Sequence, residues 1–313
     1  MNCRMDRRQF LWISLAMGGS LRGKEPAVNF PREPRQRLAV ATYPFRALIT
    51  ASRAGGKGAD TPNQDSQTQM TLAQFGETVV DRFNVPGIEP WSHHFESVEP
   101  DYVRDLSRSF RKSGLRVVNI PCDVRAQLCG TPEERAATLE TYRKWVDAAV
   151  ILGSPSIRVH VPRTATPDDL SCAVDGLKAL AAYGAQKDIV INLENDNPDT
   201  EDPFQIVKII EAANTPYLRA LPDFCNSRQL GDEQYNERAL RALFPHAFNI
   251  SHVKDMEVIR GNVLRTDVDK IFSIATEAGY RGYFSMEWEA AGGDPYDGTR
   301  KLIAASLKNL GAQ

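Results

Sequence analysis

The chain has 313 residues, of which 42% are hydrophobic, and its formal net charge is −2. This length and composition can bury one large core, and single α/β barrels commonly reach about 250 residues or more. The near-neutral charge excludes the basic field that non-specific nucleic-acid binding requires, so no nucleic-acid partner is expected.

The first 25 residues are predicted to be an export leader. Arg7 and Arg8 are followed by Phe10-Leu11 and by an apolar stretch that ends at Leu21. This pattern resembles a twin-arginine signal and predicts an exported, periplasmic protein; a basic, disordered leader is the alternative interpretation. The apolar stretch is too short to span a bilayer, and no A-x-A cleavage motif follows it. Association with a membrane is therefore expected only if the leader is kept as an anchor.

The cysteines leave two interpretations open. The five are Cys3, Cys122, Cys129, Cys172 and Cys225. Cys122 and Cys129 would pair across a loop in an oxidising compartment, whereas buried free thiols are the more usual state of irregularly spaced cysteines in a large barrel. No C-x-x-C motif occurs, which excludes a zinc ribbon.

The segment 26–37 is polar and proline-rich and is predicted to be a linker. From Leu38 onward, short apolar runs alternate with longer segments of helical spacing. The predicted strands are Leu38–Phe45, Gly87–Trp91, Arg116–Asp123, Ser156–Pro162, Ile189–Glu194, Arg219–Phe224, Asn249–Val253 and Tyr283–Trp288. The predicted helices are Thr71–Asn84, Asp101–Ser113, Pro132–Leu152, Asp168–Tyr183, Pro203–Ala213, Glu233–Leu243, Val268–Ala278 and Asp297–Leu310.

Eight such strand–helix units predict an α/β fold, a single closed (β/α)8 TIM barrel over residues 38–313. A doubly wound dinucleotide fold would need a glycine-rich turn after the first strand, and Ala41-Thr42-Tyr43-Pro44 is not one. The polar, glycine-rich segment Ala51–Gln69 follows the first strand and would be either a lid over the active face or an inert insertion.

Acidic residues and one histidine stand at the ends of the last four predicted strands. They are Glu194, Asp223, His252 and Glu287. Because the carboxyl ends of parallel barrel strands meet at one face, these side chains are predicted to converge on one divalent metal ion. Three carboxylates and one imidazole form an oxygen-rich set that suits Mn²⁺, Mg²⁺ or Co²⁺ and would also accept Zn²⁺.

The surrounding motifs resemble the sugar-phosphate isomerase/epimerase superfamily of xylose isomerase-like TIM barrels. They are I-N-L-E-N at Glu194, L-P-D-F at Asp223, S-H-V-K-D at His252, S-M-E-W-E at Glu287 and I-R-V-H-V-P at His160. The order and spacing are similar to those of the ketose 3-epimerases. The resemblance implies that the four residues bind the metal, and that Glu194 and Glu287 exchange a proton from opposite sides of a substrate carbon.

Two positions depart from that pattern. Asn226 stands three residues after Asp223, where the epimerases usually have a histidine, and Val258 stands where they have an arginine. The run H-V-K-D is closer to the inosose dehydratases and hydroxypyruvate isomerases, which implies that Lys254 contacts substrate oxygens. Asn226 is expected near the substrate as well.

Further substrate contacts are expected from strands two and four. His160 ends the fourth predicted strand, and His93, His94 and Trp91 follow the second; all would bind a sugar, or the histidines would be ordinary rim residues. The sequence thus favours a metal-dependent isomerase or epimerase with a small carbohydrate substrate, as a monomer or a homo-oligomer. A keto-sugar lyase or dehydratase on the same site and a non-catalytic sugar-binding barrel are the alternatives.

Overall fold

The computed structural model describes residues 25–50, 69–124, 127–164, 166–290 and 292–312. The predicted leader, apart from Glu25, and the predicted lid segment, apart from Gln69, lie outside these residues. Within the described part of the chain, no helix combines the length and the apolar character that crossing a bilayer would require.

A closed barrel of parallel strands forms the centre of the described chain. Its strands are β1 (Leu38–Ala41), β2 (Gly87–Glu89), β3 (Arg116–Val117), β4 (Ser156–Val159), β5 (Val190–Glu194), β6 (Leu218–Leu221), β7 (Ile250–Val253) and β10 (Tyr283–Met286). The ladders run in the orders β3-β2-β1-β10-β7 and β4-β5-β6. Backbone hydrogen bonds close both gaps: Cys122 N donates to Arg158 O over 2.9 Å, and His252 N donates to Pro222 O over 3.0 Å. The predicted (β/α)8 barrel is confirmed.

Helices alternate with these strands and cover the outside of the barrel. They are α1 (Leu72–Phe83), α2 (Pro100–Lys112), α3 (Pro132–Leu152), α4 (Pro167–Lys187), α5 (Pro203–Ala213), α6 (Glu233–Leu243), α7 (Val268–Glu277) and α8 (Pro295–Asn309). Local signals set their ends. Thr131 caps α3 by accepting from Glu134 N, and Gly153 ends it at φ 74°.

A β-hairpin that the sequence analysis missed lies between β7 and α7. Its strands, β8 (Met256–Ile259) and β9 (Asn262–Arg265), pair in antiparallel register. Arg260 and Gly261 form its turn at φ 50° and 82°, the positive values that a two-residue hairpin turn of type I′ requires. Arg260, the arginine nearest to the position where the epimerases carry one, therefore lies at the hairpin tip.

Within the segment 26–37, predicted to be a linker, Phe30 packs against the floor of the barrel. Phe30 lies edge-to-face against Phe248 and Tyr283, with ring centroids 5.4 and 5.9 Å apart. It contacts the apolar layer that fills the floor, formed by Ala39, Val118, Leu221, Ile250 and Tyr283. Phe30 thus closes the end of the barrel opposite to the strand C-termini.

Candidate metal centre

The structure brings Glu194, Asp223, His252 and Glu287 together at the carboxyl ends of β5, β6, β7 and β10. One ligand atom from each residue lies within 4.8 Å of the other three. His252 Nδ1 is at the centre of the group, 2.7 Å from Glu194 Oε1 and 3.0 Å from Glu287 Oε2. All four residues are buried, although Glu287 retains 8% exposure toward the cavity above.

The donor set fits a cation. Asp223 Oδ1 accepts from the backbone N–H groups of Cys225 and Asn226, at 2.8 and 2.6 Å, whereas its buried Oδ2 has no partner. Burial raises the pKa of Asp223 well above its usual value, and Lys254 opposes this shift only in part. An acceptor oxygen that is buried without a donor is costly unless a ligand satisfies it.

The imidazole of His252 is held between carboxylates. Burial lowers its pKa, but Glu194, Glu287 and Glu89 outweigh burial and raise the pKa well above the usual value. Burial alone would raise the pKa of Glu287, but the facing His252 lowers it to about 2. The surrounding carboxylates therefore favour a positive charge next to Nδ1. A divalent ion bound to Nδ1 can supply that charge in place of the imidazolium proton.

Glu89, at the end of β2, fixes the orientation of this imidazole. His252 Nε2 lies 3.0 Å from both carboxylate oxygens of Glu89, which is fully buried. Asn119 Nδ2 donates to Glu89 Oε1 over 2.8 Å and holds it in place. A histidine that donates through one ring nitrogen to a carboxylate presents its other nitrogen as a metal ligand, so this contact suits a metal-binding His252.

A cavity of about 140 Å³ opens above the four residues. Three of the predicted substrate-contact residues line it: Trp91, Asn226 and Lys254. Lys254 Nζ donates to Asn226 Oδ1 over 2.8 Å and to Glu289 Oε1 over 3.0 Å. The predicted contact residues Lys254 and Asn226 are therefore hydrogen-bonded to each other. Burial lowers the pKa of Lys254, but Glu289 and Asp223 raise it well above the usual value and keep the amine charged.

The three other predicted substrate contacts do not line this cavity. His94 is buried with Nδ1 2.8 Å from Thr42 Oγ1, and burial lowers its pKa to about 3, which makes it a neutral core residue. His93 stacks behind Trp91 with ring centroids 4.3 Å apart. His160 Nδ1 is 2.9 Å from Glu201 Oε1, and its Nε2 is 3.0 Å from Asp123 Oδ1.

His160 belongs to a second group of titratable side chains, with Asp196 and Glu201. Burial and Arg158 lower the pKa of His160, but hydrogen bonds with Asp123 and Glu201 outweigh them and raise it to about 10. Glu201 also accepts from the backbone N–H groups of Val161 and Asn197, at 2.9 and 2.8 Å. This group is an ion-pair network whose central atoms already have partners.

Arg158, on β4, connects the two groups and was missed by the sequence analysis. Its Nε lies 2.9 Å from Glu194 Oε2, and its Nη1 lies 2.6 Å from Asp123 Oδ1. The alternation of side chains along a strand could have identified it, because Ser156, Arg158 and His160 share one face. Asp123 ended a predicted strand and was also identifiable, whereas Glu201 follows a polar turn and gave no signal.

Comparison with known proteins identifies related sequences and folds. The family described as xylose isomerase-like TIM barrel matches residues 79–310. No curated protein matches the chain significantly. D-psicose 3-epimerase, solved in the presence of D-fructose, is 14% identical over 88% of this chain and 99% of that chain, with a TM-score of 0.65.

Two further solved structures share the fold. A xylose isomerase-like TIM barrel protein from Mycobacterium smegmatis in complex with magnesium is 15% identical over 89% of this chain and 99% of that one, with a TM-score of 0.65. The probable 3-DHS dehydratase AsbF from Bacillus anthracis is 13% identical over 86% and 97%, with a TM-score of 0.63. At these identities the likeness establishes the fold alone.

Proposed function

The chain belongs to the xylose isomerase-like TIM-barrel family, and on that premise we propose that it is a divalent-metal-dependent isomerase or epimerase of a carbohydrate or related polyhydroxy carbonyl compound. The observation that carries the proposal is the pair of glutamates, Glu194 and Glu287, which lie 2.7 and 3.0 Å from His252 Nδ1 and line one cavity. A binding protein would need neither two facing carboxylates nor the unpartnered Oδ2 of Asp223 beside them.

Glu194, Asp223, His252 and Glu287 would hold the cation, with Mn²⁺, Mg²⁺ or Co²⁺ favoured by the oxygen-rich set and Zn²⁺ also accommodated. When bound, the ion supplies Lewis-acid polarisation of a substrate carbonyl and so acidifies the neighbouring C–H bond.

The proton transfer itself is assigned to the two glutamates. One of Glu194 and Glu287 removes the proton next to the carbonyl, and the other returns a proton from the opposite face. Arg158 Nε and His252 Nδ1 hold the two oxygens of Glu194, at 2.9 and 2.7 Å, and so fix its direction. Lys254 and Asn226 line the same cavity and are placed to bind substrate oxygens.

The charge of the cavity favours a neutral substrate. Its lining contains seven carboxylates, Glu89, Asp123, Glu194, Asp196, Glu257, Glu287 and Glu289, against the cationic Arg158 and Lys254. Both cations are already paired, Arg158 with Asp123 and Glu194, and Lys254 with Glu257 and Glu289. A phosphate or carboxylate group would have to break one of these pairs, so an unphosphorylated sugar is proposed.

Deuterium incorporation tests the proposal. Neutral keto-sugars and their phosphorylated counterparts are incubated with the metal-loaded protein in deuterated water, and products are examined by NMR. Deuterium is expected on the carbon next to the carbonyl of a neutral sugar. Glu194→Gln and Glu287→Gln should slow its incorporation by about 10²–10⁴-fold. Glu277→Gln, on the outer surface at the end of α7, is the control and should leave the rate unchanged.

The other outcomes are distinct. Exchange followed by loss of water would identify a dehydratase on the same site. Because proton transfer within a shielded site can hide the label, the configuration and carbonyl position of the product are measured as well. The proposal is wrong if a substrate is turned over with neither deuterium, nor a changed configuration, nor a moved carbonyl.

A further inference from the structure

Two thiols outside the cavity lie side by side. Cys129 is in the loop that precedes α3, and Cys172 is in the second turn of α4. Cys129 Sγ lies 3.8 Å from Asp169 O, and Cys172 Sγ lies 3.4 Å from Leu128 O. Asp169 is one helical turn before Cys172, and Leu128 directly precedes Cys129. Each thiol therefore reaches the backbone next to the other cysteine.

The loop packs closely enough on α4 to keep the two side chains together. Leu128 is fully buried, and a Cβ added at Gly176, one turn after Cys172, would lie only 3.2 Å from Leu128 Cβ. The glycine thus permits the close approach of loop and helix. Burial, together with a direct contact with the Cys172 thiol, raises the pKa of Cys129 to about 12.

The remaining thiols of the described residues have different surroundings. Cys122 is fully buried and donates to Ile120 O over 3.3 Å, and Cys225, also fully buried, lies 3.8 Å from Leu264 O. Cys129 and Cys172 are only partly buried, so an oxidant can reach them. The sequence analysis named Cys122 as a partner for Cys129; the contacts of Cys129 with α4 instead favour Cys172.

We propose that Cys129 and Cys172 form a disulfide when the chain meets a disulfide oxidant. One thiolate attacks a sulfur of the oxidant, whose S–S bond breaks to leave a mixed disulfide, and the second thiolate then displaces the oxidant's remaining sulfur. Two cysteine thiols are oxidised to one disulfide, and the oxidant is reduced to two thiols that take up the two protons. The raised pKa of Cys129 makes the thiolate scarce near neutral pH, so the reaction is expected to be faster in alkaline buffer.

The bond would tie the loop after β3 to the start of α4. It would close a ring of residues 129–172 that contains α3 and β4, and such a ring constrains the unfolded chain more than a short one does. The proposal is independent of the proposed function, because none of its residues lines the cavity above the candidate metal centre.

Peptide mapping of the full chain tests the pairing. The reduced protein is treated with glutathione disulfide at pH values from about 7 to 9, the range below and around the ordinary thiol pKa. It is then unfolded in an alkylating reagent and digested without reductant. Mass spectrometry should find the Cys129 and Cys172 peptides joined, with the loss of two hydrogens, and Cys122 and Cys225 alkylated. Alkylation of both Cys129 and Cys172, stable glutathione adducts on them, or linkage of either to another cysteine would overturn the proposal.

A thermal measurement supplies a second, independent test. Oxidised wild-type protein should melt several degrees above the protein reduced with dithiothreitol. Cys129→Ser and Cys172→Ser should each abolish that difference, whereas Cys122→Ser, the control, should retain it. Equal melting temperatures of the oxidised and reduced wild type, or a difference that survives in Cys172→Ser, would count against the bond.

Discussion

Two groups of histidine and acidic side chains lie at the same end of the barrel and differ in how their polar atoms are satisfied. In the group of Glu194, Asp223, His252 and Glu287, three carboxylates converge and Asp223 Oδ2 is buried without a partner. In the group of His160, Asp196 and Glu201, by contrast, both oxygens of Glu201 accept hydrogen bonds: Oε1 from the N–H of Val161 and Oε2 from the N–H of Asn197, at 2.9 and 2.8 Å. The same residue types thus build a site with spare ligand atoms in one place and a satisfied ion-pair network in the other.

The largest expected difference between the two groups is their contribution to stabilisation by a bound metal ion. A divalent ion at a hundredfold excess over its dissociation constant stabilises a protein that binds it only when folded by about 2.7 kcal/mol. Asp223→Asn should lose most of this gain, because Asn keeps an oxygen for the backbone N–H groups of Cys225 and Asn226 but has an amide nitrogen, which does not bind a cation, in place of Oδ2. Differential scanning calorimetry with and without Mn²⁺ or Mg²⁺ measures the effect.

Glu201→Gln is the matched control for that experiment. The substitution also neutralises a buried carboxylate at the same end of the barrel, but in the satisfied group. Its response to metal should equal that of the wild type even if its basal stability falls. Equal loss of the metal response in both variants would mean that the two groups do not differ as the geometry indicates.

Glu89 sharpens the comparison, since it touches His252 without belonging to the four proposed ligands. Loss of a carboxylate that orients a metal-bound histidine commonly weakens metal affinity by about 10–100-fold. Glu89→Gln should fall at the low end of this range, because its amide oxygen can still accept from His252 Nε2, and Glu89→Ala should fall at the high end.

Competition with a fluorescent chelator measures these affinities without any assay of activity. Glu257→Gln is the control, because Glu257 lines the same cavity and pairs with Lys254 but does not contact His252. Wild-type affinity in Glu89→Ala would show that His252 needs no support from β2.

The sequence predicted the barrel and the convergent group because both follow from local patterns. Strand ends in a parallel barrel meet at one face, so Glu194, Asp223, His252 and Glu287 could be grouped without any long-range information. His160 also stands at a strand end, yet its nitrogens face Asp123 and Glu201, which are distant in sequence. Position along a strand predicts which face a side chain occupies, but not which partner already occupies its polar atoms.

The packing of Phe30 and the β8–β9 hairpin were not predicted, because the local sequence gives no sign of either. Phe30 is one aromatic residue in a polar, proline-rich segment, and only the apolar floor of the barrel gives it a place to pack. The hairpin of β8 and β9 lacks the glycine- or asparagine-led turn that usually announces one, because Arg260 takes the first left-handed position. The sequence analysis therefore predicted a linker around Phe30 and assigned no element to the hairpin segment.

The smallest expected effect concerns the pH dependence of stability in the satisfied group. The pKa of His160 in the folded protein is about 10, because Asp123 and Glu201 outweigh burial and Arg158, whereas an unfolded histidine titrates near 6.5. A raised folded pKa means that the folded state holds a proton that the unfolded state has released. The stabilisation is thus fully present below about pH 6.5 and is lost as pH rises toward about 10. His160→Gln should consequently cost more stability at about pH 6 than at about pH 10, as urea unfolding of the two proteins in parallel can measure.

His246→Gln, which removes a histidine on the outer surface with a partner 3.6 Å away, is the control for general effects of pH. A cost of His160→Gln that stays constant or grows with pH would show that the imidazole is held neutral, and the group would then be a hydrogen-bonded network without the ion pairs inferred here.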